Sequence, residues 1–479
     1  MIYKTKPWPH QEKALRYLYN RDTAALYTDM GTGKTKIMID LMQNRGFKRV
    51  VVVGTAKSCD VWEEQISIHG FEGKISCRNL HGLSANKKKV ALQEYFGPVN
   101  KDMATGTKVI IVNYESIWRE PIASYLLRKT VGINCIVCDE SHRIKTPSSK
   151  CSLYLTKLGK RASCRYLVTG TPLAENPMDV YAQYRFLDPS IFGTNFGNFK
   201  ARYQNLNAQA TAACGFPVLD KKQPYIHLDE LHDKMFSCAF YVESSVELPE
   251  QTDITYHFKL PKPCQRVYKK LQDEGVICLN GKYIETDCAL TMVLKLQQMT
   301  SGFAVAEPKY QDSPDCKRTV INLHRERVEA LKDLLEGLPK HEPVVVFANY
   351  RKDLKVIRNL CREMKLGYSE VSGTEDTLKE WKASKATVLG VQYSSGSESI
   401  DLTRARYCIY YSLTRKLSLY LQSRKRIHRP GQTRPVVYYH IIGQLDKGVS
   451  MDELMMEALV NKQDIVDYVM ERGIGKWKC

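Results

Sequence analysis

The sequence has no hydrophobic run long enough to cross a bilayer. Its longest apolar stretches, such as Val50–Val53, are strand-length, far short of the ~20 residues a spanning helix needs. The amino terminus carries lysines with no apolar core behind them, so no signal peptide is expected there, and a soluble protein is expected. No internal repeat or low-complexity tract occurs along the 479 residues, a length that suits two to four domains. A disulfide framework is also missing. The 15 cysteines are scattered and odd in number, which suits a reducing compartment. Cys135-x-x-Cys138 has no second CxxC to complete a zinc site and lies inside an apolar run, so buried strand cysteines are expected there. Acidic residues are in deficit, 52 against 71 basic ones, for a net charge of +19. Such a surplus favours a polyanionic partner, nucleic acid above all.

What is present is a series of short, continuous apolar runs separated by helical patterns. Ala24–Leu26, Arg49–Gly54, Val109–Val112, Cys135–Cys138 and Tyr166–Thr169 form one group. After a break near Phe186 come Pro343–Phe347, Thr387–Val391, Tyr407–Tyr411 and Val436–Ile442. Continuous rather than alternating apolarity predicts strands covered on both faces, as in a parallel sheet flanked by helices. Two groups predict two α/β lobes, over 1–186 and 321–449. The stretch 187–320 reads as helical insertions and a hinge, with helices at Leu228–Met235 and Cys264–Glu274 and loops at Ala208–Gly215 and Gly281–Ile284. Asn86–Lys89 reads as a solvated basic face.

The chemistry concentrates in a few stretches. Asp29-Met30-Gly31-Thr32-Gly33-Lys34-Thr35 stands between the first run and the helical pattern Lys36–Met42, the strand–loop–helix context of a phosphate-binding loop. Backbone N–H groups at the helix N-terminus would cradle phosphates. Gly31 and Gly33 allow close approach, Lys34 would neutralise β- and γ-oxygens, and Thr35 would ligate Mg²⁺. Thr28 stands where the general pattern has its first glycine. Asp139-Glu140-Ser141-His142 follows another apolar run; Asp139 suits a Mg²⁺ partner and Glu140 the orienting of an attacking water. Thr169-Gly170-Thr171-Pro172 puts hydroxyls at a third strand tip, either linking phosphate state to movement or forming a plain turn. In the segment Gln422–Gln432, positions 422, 426 and 429 would share one helical face. Arg426 and Arg429 could then reach a γ-phosphate as arginine fingers, or the helix could be a basic surface and nothing more.

In this order the set resembles a superfamily 2 helicase-type motor of the Snf2-like (SWI2/SNF2) branch. Trp8-Pro9-His10-Gln11 resembles the Q-type adenine motif, and Asp29–Thr35 the Snf2 form of motif I. Val52–Trp62 is similar to motif Ia and Val112-Asn113-Tyr114-Glu115 to motif Ib. Asp139–Lys145 is similar to motif II with the Arg-Ile-Lys that Snf2 proteins favour, and Leu167–Leu173 to motif III. In the second lobe, Val345, Phe347, Asn349 and Tyr350 look like motif IV, Ser394–Thr403 like motif V, and Gln422–Gln432 like motif VI. The tail, 450–479, resembles the helix that braces two RecA-like lobes. The likeness covers nearly the whole chain. It departs from the family at Ser399, where many relatives have more glycine, and at Cys238–Val242, where an Arg-Arg-x-Lys cluster is usual.

The resemblance implies two RecA-like lobes with ATP and Mg²⁺ held between them. The implied nucleotide contacts are Gln11, Met30, Gly31, Thr32, Gly33, Lys34 and Thr35, with Thr35 and Asp139 on the metal. Lys34, Glu140, Gln422, Arg426 and Arg429 are the implied catalytic set. Implied DNA contacts are Lys57, Asn113, Tyr114, Asn349, Tyr350, Ser394, Gly396 and Ser397. The expected activity is ATP-driven translocation on double-stranded or branched DNA by a monomeric motor, with no membrane association. A strand-separating helicase on DNA or RNA, and a nucleic-acid-binding platform with weak catalysis, are the alternatives. With no chromatin-reading module, long acidic tail or zinc cluster in the sequence, a small bacterial or phage-type member is expected. It would act in the cytoplasm, or in the nucleus if eukaryotic. No protein partner is legible.

Overall fold

The computed structural model describes residues 1–28, 31–97, 106–220, 222–242, 248–279, 281–286, 288–306, 319–396 and 400–471. Asp29, Met30 and Ser397–Ser399 lie outside the described residues, as does 472–479 of the expected brace helix. The chain forms two compact units, one of Met1–Glu247 with Gln463–Cys479 and one of Leu248–Lys462.

The first unit is built on a seven-stranded sheet. Its strands are β1 (Thr23–Thr28), β2 (Arg49–Gly54), β3 (Ile75–Asn79), β4 (Thr107–Asn113), β5 (Cys135–Asp139), β6 (Cys164–Thr169) and β7 (Ala239–Val242). They run parallel in the order β3-β4-β2-β5-β6-β1-β7. The five runs picked out by continuous apolarity are the five inner strands of this sheet. All six residues of β2 are buried, as two-sided helix cover demands. Ile37, Met38, Leu41, Met42, Trp62 and Ile66 are fully buried or nearly so against one face of this sheet.

The second unit contains β8 (Gln251–Lys259), a hairpin of β9 (Val276–Leu279) and β10 (Lys282–Glu285), and the antiparallel pair β11 (Phe303–Ala306) and β12 (Thr319–Asn322). Its main sheet adds β13 (Val344–Ala348), β14 (Tyr368–Val371), β15 (Val388–Gln392), β16 (Tyr407–Tyr410) and β17 (Val436–Gln444). The six strands of that sheet are parallel in the order β14-β15-β13-β16-β17-β8. Both units are therefore parallel sheets flanked by helices, in agreement with two RecA-like lobes.

Several local expectations are corrected. Ala208–Cys214 is a helix rather than a loop: Asn207 caps it by accepting the Ala210 N–H, and Gly215 closes it in the left-handed region at φ 71°. Lys282–Ile284 belongs to β10, where pairing with β9 overrides its weak pattern. The stretch 187–320 holds strands as well as helices, and β7 and β8 join the two main sheets as edge strands. The motif VI helix is Leu417–Ile427, so Gln422 and Arg426 share it while Arg429 lies beyond its end. Pro430 accounts for the stop, since the residue before proline is pushed out of helical geometry.

Candidate active site

Three neighbouring strands of the first unit, β5, β6 and β1, carry candidate site residues at their carboxyl ends, where open parallel sheets place ligands. Gly31 (φ 82°) and Gly33 (φ 78°) both occupy the left-handed region, which glycine enters without penalty. Helix Lys34–Arg45 starts directly after Gly33, which offers no side-chain cap, and the positive end of a helix dipole favours an anion there. Lys34 Nζ donates to the Thr28 carbonyl at 3.0 Å, and the Thr32 hydroxyl donates to that of Thr28 at 3.0 Å. Thr28, in place of the pattern's first glycine, thus ties the middle and the far end of the loop to β1. Gln11 is buried beneath the loop: its Nε2 donates to the Thr32 carbonyl at 2.9 Å and its Oε1 accepts the Trp8 N–H at 2.9 Å. His10 Nε2 reaches the same Thr32 carbonyl at 2.9 Å.

Asp139 ends β5, 8% exposed. One carboxylate oxygen accepts from Trp62 Nε1 at 2.9 Å and the other from the Glu140 N–H at 3.1 Å. Burial first, then the charge of Glu140, pushes its carboxyl up to about 6, against the opposing pull of Trp62 and Lys34. Glu140 adopts φ 50°, ψ 53°, a left-handed conformation uncommon for a side chain of this kind. That turn lets Thr169, at the tip of β6, donate to Glu140 Oε2 at 3.2 Å. His142 Nδ1 lies 3.4 Å from the same oxygen and 3.3 Å from the Thr169 hydroxyl. The Thr171 N–H in turn donates to Thr169 Oγ1 at 3.1 Å. Ser141 donates to Gln183, whose amide donates to the Pro172 carbonyl at 2.7 Å. Motifs II and III are thereby one hydrogen-bonded assembly, and the Thr169 hydroxyl serves it rather than a plain turn.

In the second unit, motif IV and V residues stand at the ends of β13 and β15, adjacent strands. The Asn349 N–H donates to Ser412 Oγ at 2.8 Å and the Tyr350 hydroxyl to Gln297 Oε1 at 2.7 Å. Ser394 is exposed in the short turn of helix Tyr393–Gly396. Gln422 and Arg426 are buried on their helix, and Arg429 is half-buried. Against the cost of burial, the N–H and hydroxyl of Thr403 and the Arg429 charge hold Asp401 below its ordinary value. Arg424 forks onto Asp253 of β8 at 2.5 and 2.9 Å, and His428 bonds the Pro249 carbonyl at 2.6 Å. The motif VI helix is thus pinned to the first residues of its own unit.

The model of the SNF2-related domain matches residues 10–302, and that of the helicase conserved C-terminal domain matches residues 326–431. The chain belongs to the SNF2-related family of helicase-type ATPases. It is 21% identical over 518 residues to the DNA repair and recombination protein RAD54-like of Drosophila pseudoobscura pseudoobscura, covering 97% of this chain and 64% of the relative. To the DNA repair and recombination protein RDH54 of Saccharomyces cerevisiae it is 25% identical over 374 residues, covering 74% of this chain and 40% of the relative. The chain thus spans less than two thirds of the length of these relatives. A solved Sulfolobus solfataricus SWI2/SNF2 ATPase core in complex with dsDNA is similar at a TM-score of 0.42 and 18% identity, over 92% of this chain and 88% of that one. A score that low adds nothing to the assignment.

The donor set of this SNF2-related ATPase fits ATP with Mg²⁺. Asp139 and Thr35 offer hard oxygens, and each carboxylate oxygen of Asp139 keeps a lone pair beyond its one N–H partner. Among the described residues no three acidic, His or Cys side chains gather as a metal cage, so Mg²⁺ would share its coordination with phosphate oxygens, as it commonly does. The residues that sequence reasoning left without a role are among those holding the others: Trp62 and His142. Trp62 closes the motif Ia segment and His142 lies in motif II, so the signal was proximity to chemistry without a chemical role. Tyr114, expected on DNA, is 4% exposed, with its hydroxyl on the Asp139 carbonyl at 2.6 Å. Asn113 is also buried and donates to Glu115 at 2.8 Å. Lys57, in the first turn of helix Ala56–His69, is exposed. No helix among the described residues is long and apolar enough to cross a membrane.

Proposed function

We propose that this protein is an ATP-driven translocase on double-stranded DNA that remodels protein–DNA or branched DNA structures. The observation that carries the reading is that Lys34, after β1, and Asp139 and Glu140, at the end of β5, flank Thr169 at the tip of the intervening β6 in a chain of the SNF2-related family. Lys34 and the N–H groups of the glycine loop bind the phosphates, and Gln11 sets the loop's height at the base. Asp139 and Thr35 hold Mg²⁺, which when bound neutralises the phosphate oxygens. Glu140, aimed by Thr169 and His142, accepts a hydrogen bond from the attacking water. Gln422, Arg426 and Arg429 of motif VI are the remaining candidates for the catalytic set. Lys57, Ser394 and their motif neighbours take the DNA phosphates, which suits the net charge of +19 and makes binding salt-sensitive and largely independent of sequence. Similarity to DNA repair and recombination proteins supports a role in DNA repair or recombination.

The test is phosphate release by the full chain with no nucleic acid, duplex, single-stranded DNA, forked DNA or RNA. The expected result is stimulation by duplex that is lost in Lys34→Ala and Glu140→Gln. Wild-type indifference to duplex, or stimulation by RNA alone, overturns the reading.

A further inference from the structure

The two segments assigned to DNA, motifs Ia and Ib, each send one buried aromatic donor to the same residue. Trp62, fully buried, lies one and a half turns along helix Ala56–His69 from Lys57, and its indole N–H donates to a carboxylate oxygen of Asp139 at 2.9 Å. Tyr114, directly after β4, donates its hydroxyl to the main-chain carbonyl of Asp139 at 2.6 Å. The helix carrying Trp62 is fixed at its start, where Thr55 caps the Ser58 N–H at 3.2 Å and Ser58 Oγ donates back to the Thr55 carbonyl at 3.1 Å. A Cβ placed on Gly54, the last residue of β2, would collide with Ser58 Oγ and lie 3.9 Å from the Asp139 Cβ. The strand end, the helix start and the acidic residue are therefore packed without slack. A shift of either segment cannot be absorbed by empty space, because close-packed interiors transmit displacement.

Each donor also has a distinct grip. Trp62 orients the carboxylate and Tyr114 the backbone that bears it, so together they fix both the rotamer of Asp139 and the left-handed turn at Glu140 that follows. Neither aromatic group faces solvent, and packing alone needs neither an N–H nor an O–H; a phenylalanine would fill the position of Tyr114. The polar atoms are present because the acidic residue is there to receive them.

We propose that Trp62 and Tyr114 are positioning residues that carry the DNA-bound state of motifs Ia and Ib to the Mg²⁺ ligand Asp139. This rests on the DNA-motor reading above. DNA held at Lys57 and its neighbours sets the two donors, and they set the metal ligand, so that the nucleotide site is completed only on DNA. The coupling lies entirely within the first unit and adds to whatever the second unit supplies.

The experiment uses the full chain with Tyr114→Phe, which keeps the ring and deletes the donor, and Trp62→Phe, which deletes the donor and puts a smaller aromatic ring in its place. Tyr154→Phe is the control, since its hydroxyl donates to the Ala123 carbonyl at 2.9 Å in the same unit, away from the site. Two quantities are read: the ratio of phosphate release with and without duplex, and the affinity for a fluorescent ATP analogue in Mg²⁺ and in EDTA, with and without duplex. In the wild type, duplex is expected to tighten analogue binding in Mg²⁺ and not in EDTA. Both site variants are expected to lose that tightening and to lower the stimulation ratio by about tenfold, the loss of one buried hydrogen bond. Their duplex affinity and their EDTA values stay as in the wild type, and Tyr154→Phe keeps both responses. Unchanged stimulation and unchanged Mg²⁺-dependent tightening in both site variants overturn the proposal while leaving the motor reading intact. So does an equal loss of rate with and without duplex. A wild type that ignores duplex overturns the motor reading itself, and the coupling with it.

Discussion

Arg327→Met removes the cation at the centre of the second unit. The Arg327 side chain is 1% exposed. Its guanidinium pairs with Asp452 and donates to the Tyr411 carbonyl, to the Ile441 carbonyl at 3.1 Å and, through Nε, to the Thr300 carbonyl at 3.1 Å. The Phe258 ring centroid is 5.2 Å from it. Asp452, equally buried, also accepts from the Thr300 hydroxyl at 2.8 Å and the Gly443 N–H at 3.0 Å. Methionine conserves much of the volume, so the cost is electrostatic. A buried charge deprived of its partner costs about 3–5 kcal/mol, and the orphaned carbonyls of Thr300, Tyr411 and Ile441 push the total to the upper end. Against a domain stability of about 5–15 kcal/mol, that brings the second unit close to unfolding. Urea denaturation, with hydrogen exchange of the β17 amides to localise the loss, measures it. The double variant Arg327→Met/Asp452→Leu removes both charges and is expected to regain at least about 2 kcal/mol over the single one. A single-variant loss under about 1 kcal/mol, or a double variant no more stable than Arg327→Met, refutes the reasoning.

Three further outcomes follow from single sites. Gly33→Ala places a Cβ against the Gln11 amide at φ 78°; nucleotide affinity is expected to fall about tenfold or more, read by equilibrium binding of a fluorescent analogue. Thr169→Val deletes the hydroxyl that aims Glu140, and is expected to lower kcat by about tenfold with little change in KM, read in steady-state kinetics. Asp353 is buried and pushed up to about 7 by desolvation, against the pull of the Ser412 hydroxyl and the Arg327 charge. Its folded-state value lies above the unfolded one, so the folded chain holds the proton more tightly and stability falls as pH rises from about 4 to about 7, by up to roughly 4 kcal/mol. Asp353→Asn, compared with wild type by urea midpoint at pH 5 and pH 8, is expected to remove that part of the slope; an unchanged slope contradicts the assignment.

The inner strands were legible because burial on both faces leaves an unbroken apolar record, as in Arg49–Gly54 and Cys135–Asp139. The edges were not. Ile75–Asn79 alternates buried and exposed residues, and eight of the nine residues of Gln251–Lys259 are not buried, so neither leaves an apolar run. Their strand character comes from pairing with β4 and β17, which a local pattern does not contain. The helix Ala208–Cys214 depends on its Asn207 cap rather than on an apolar face. The chemical residues of motifs I and II were visible from spacing because phosphate and metal chemistry needs those side chains in that order. The aromatic donors behind them were not, since Trp62 and Tyr114 read as core or DNA contacts until Asp139 is seen between them. Helical periodicity also carried Arg429 onto a face that ends at Ile427.

The central claim is that hydrolysis at Lys34 and Glu140 moves the protein along intact duplex. It is tested most directly by ATP-dependent displacement of a third strand from a triplex placed downstream on double-stranded DNA. Displacement by the wild type with ATP is expected, with none by Glu140→Gln and no separation of the underlying duplex. Hydrolysis without displacement, or displacement accompanied by duplex unwinding, contradicts it.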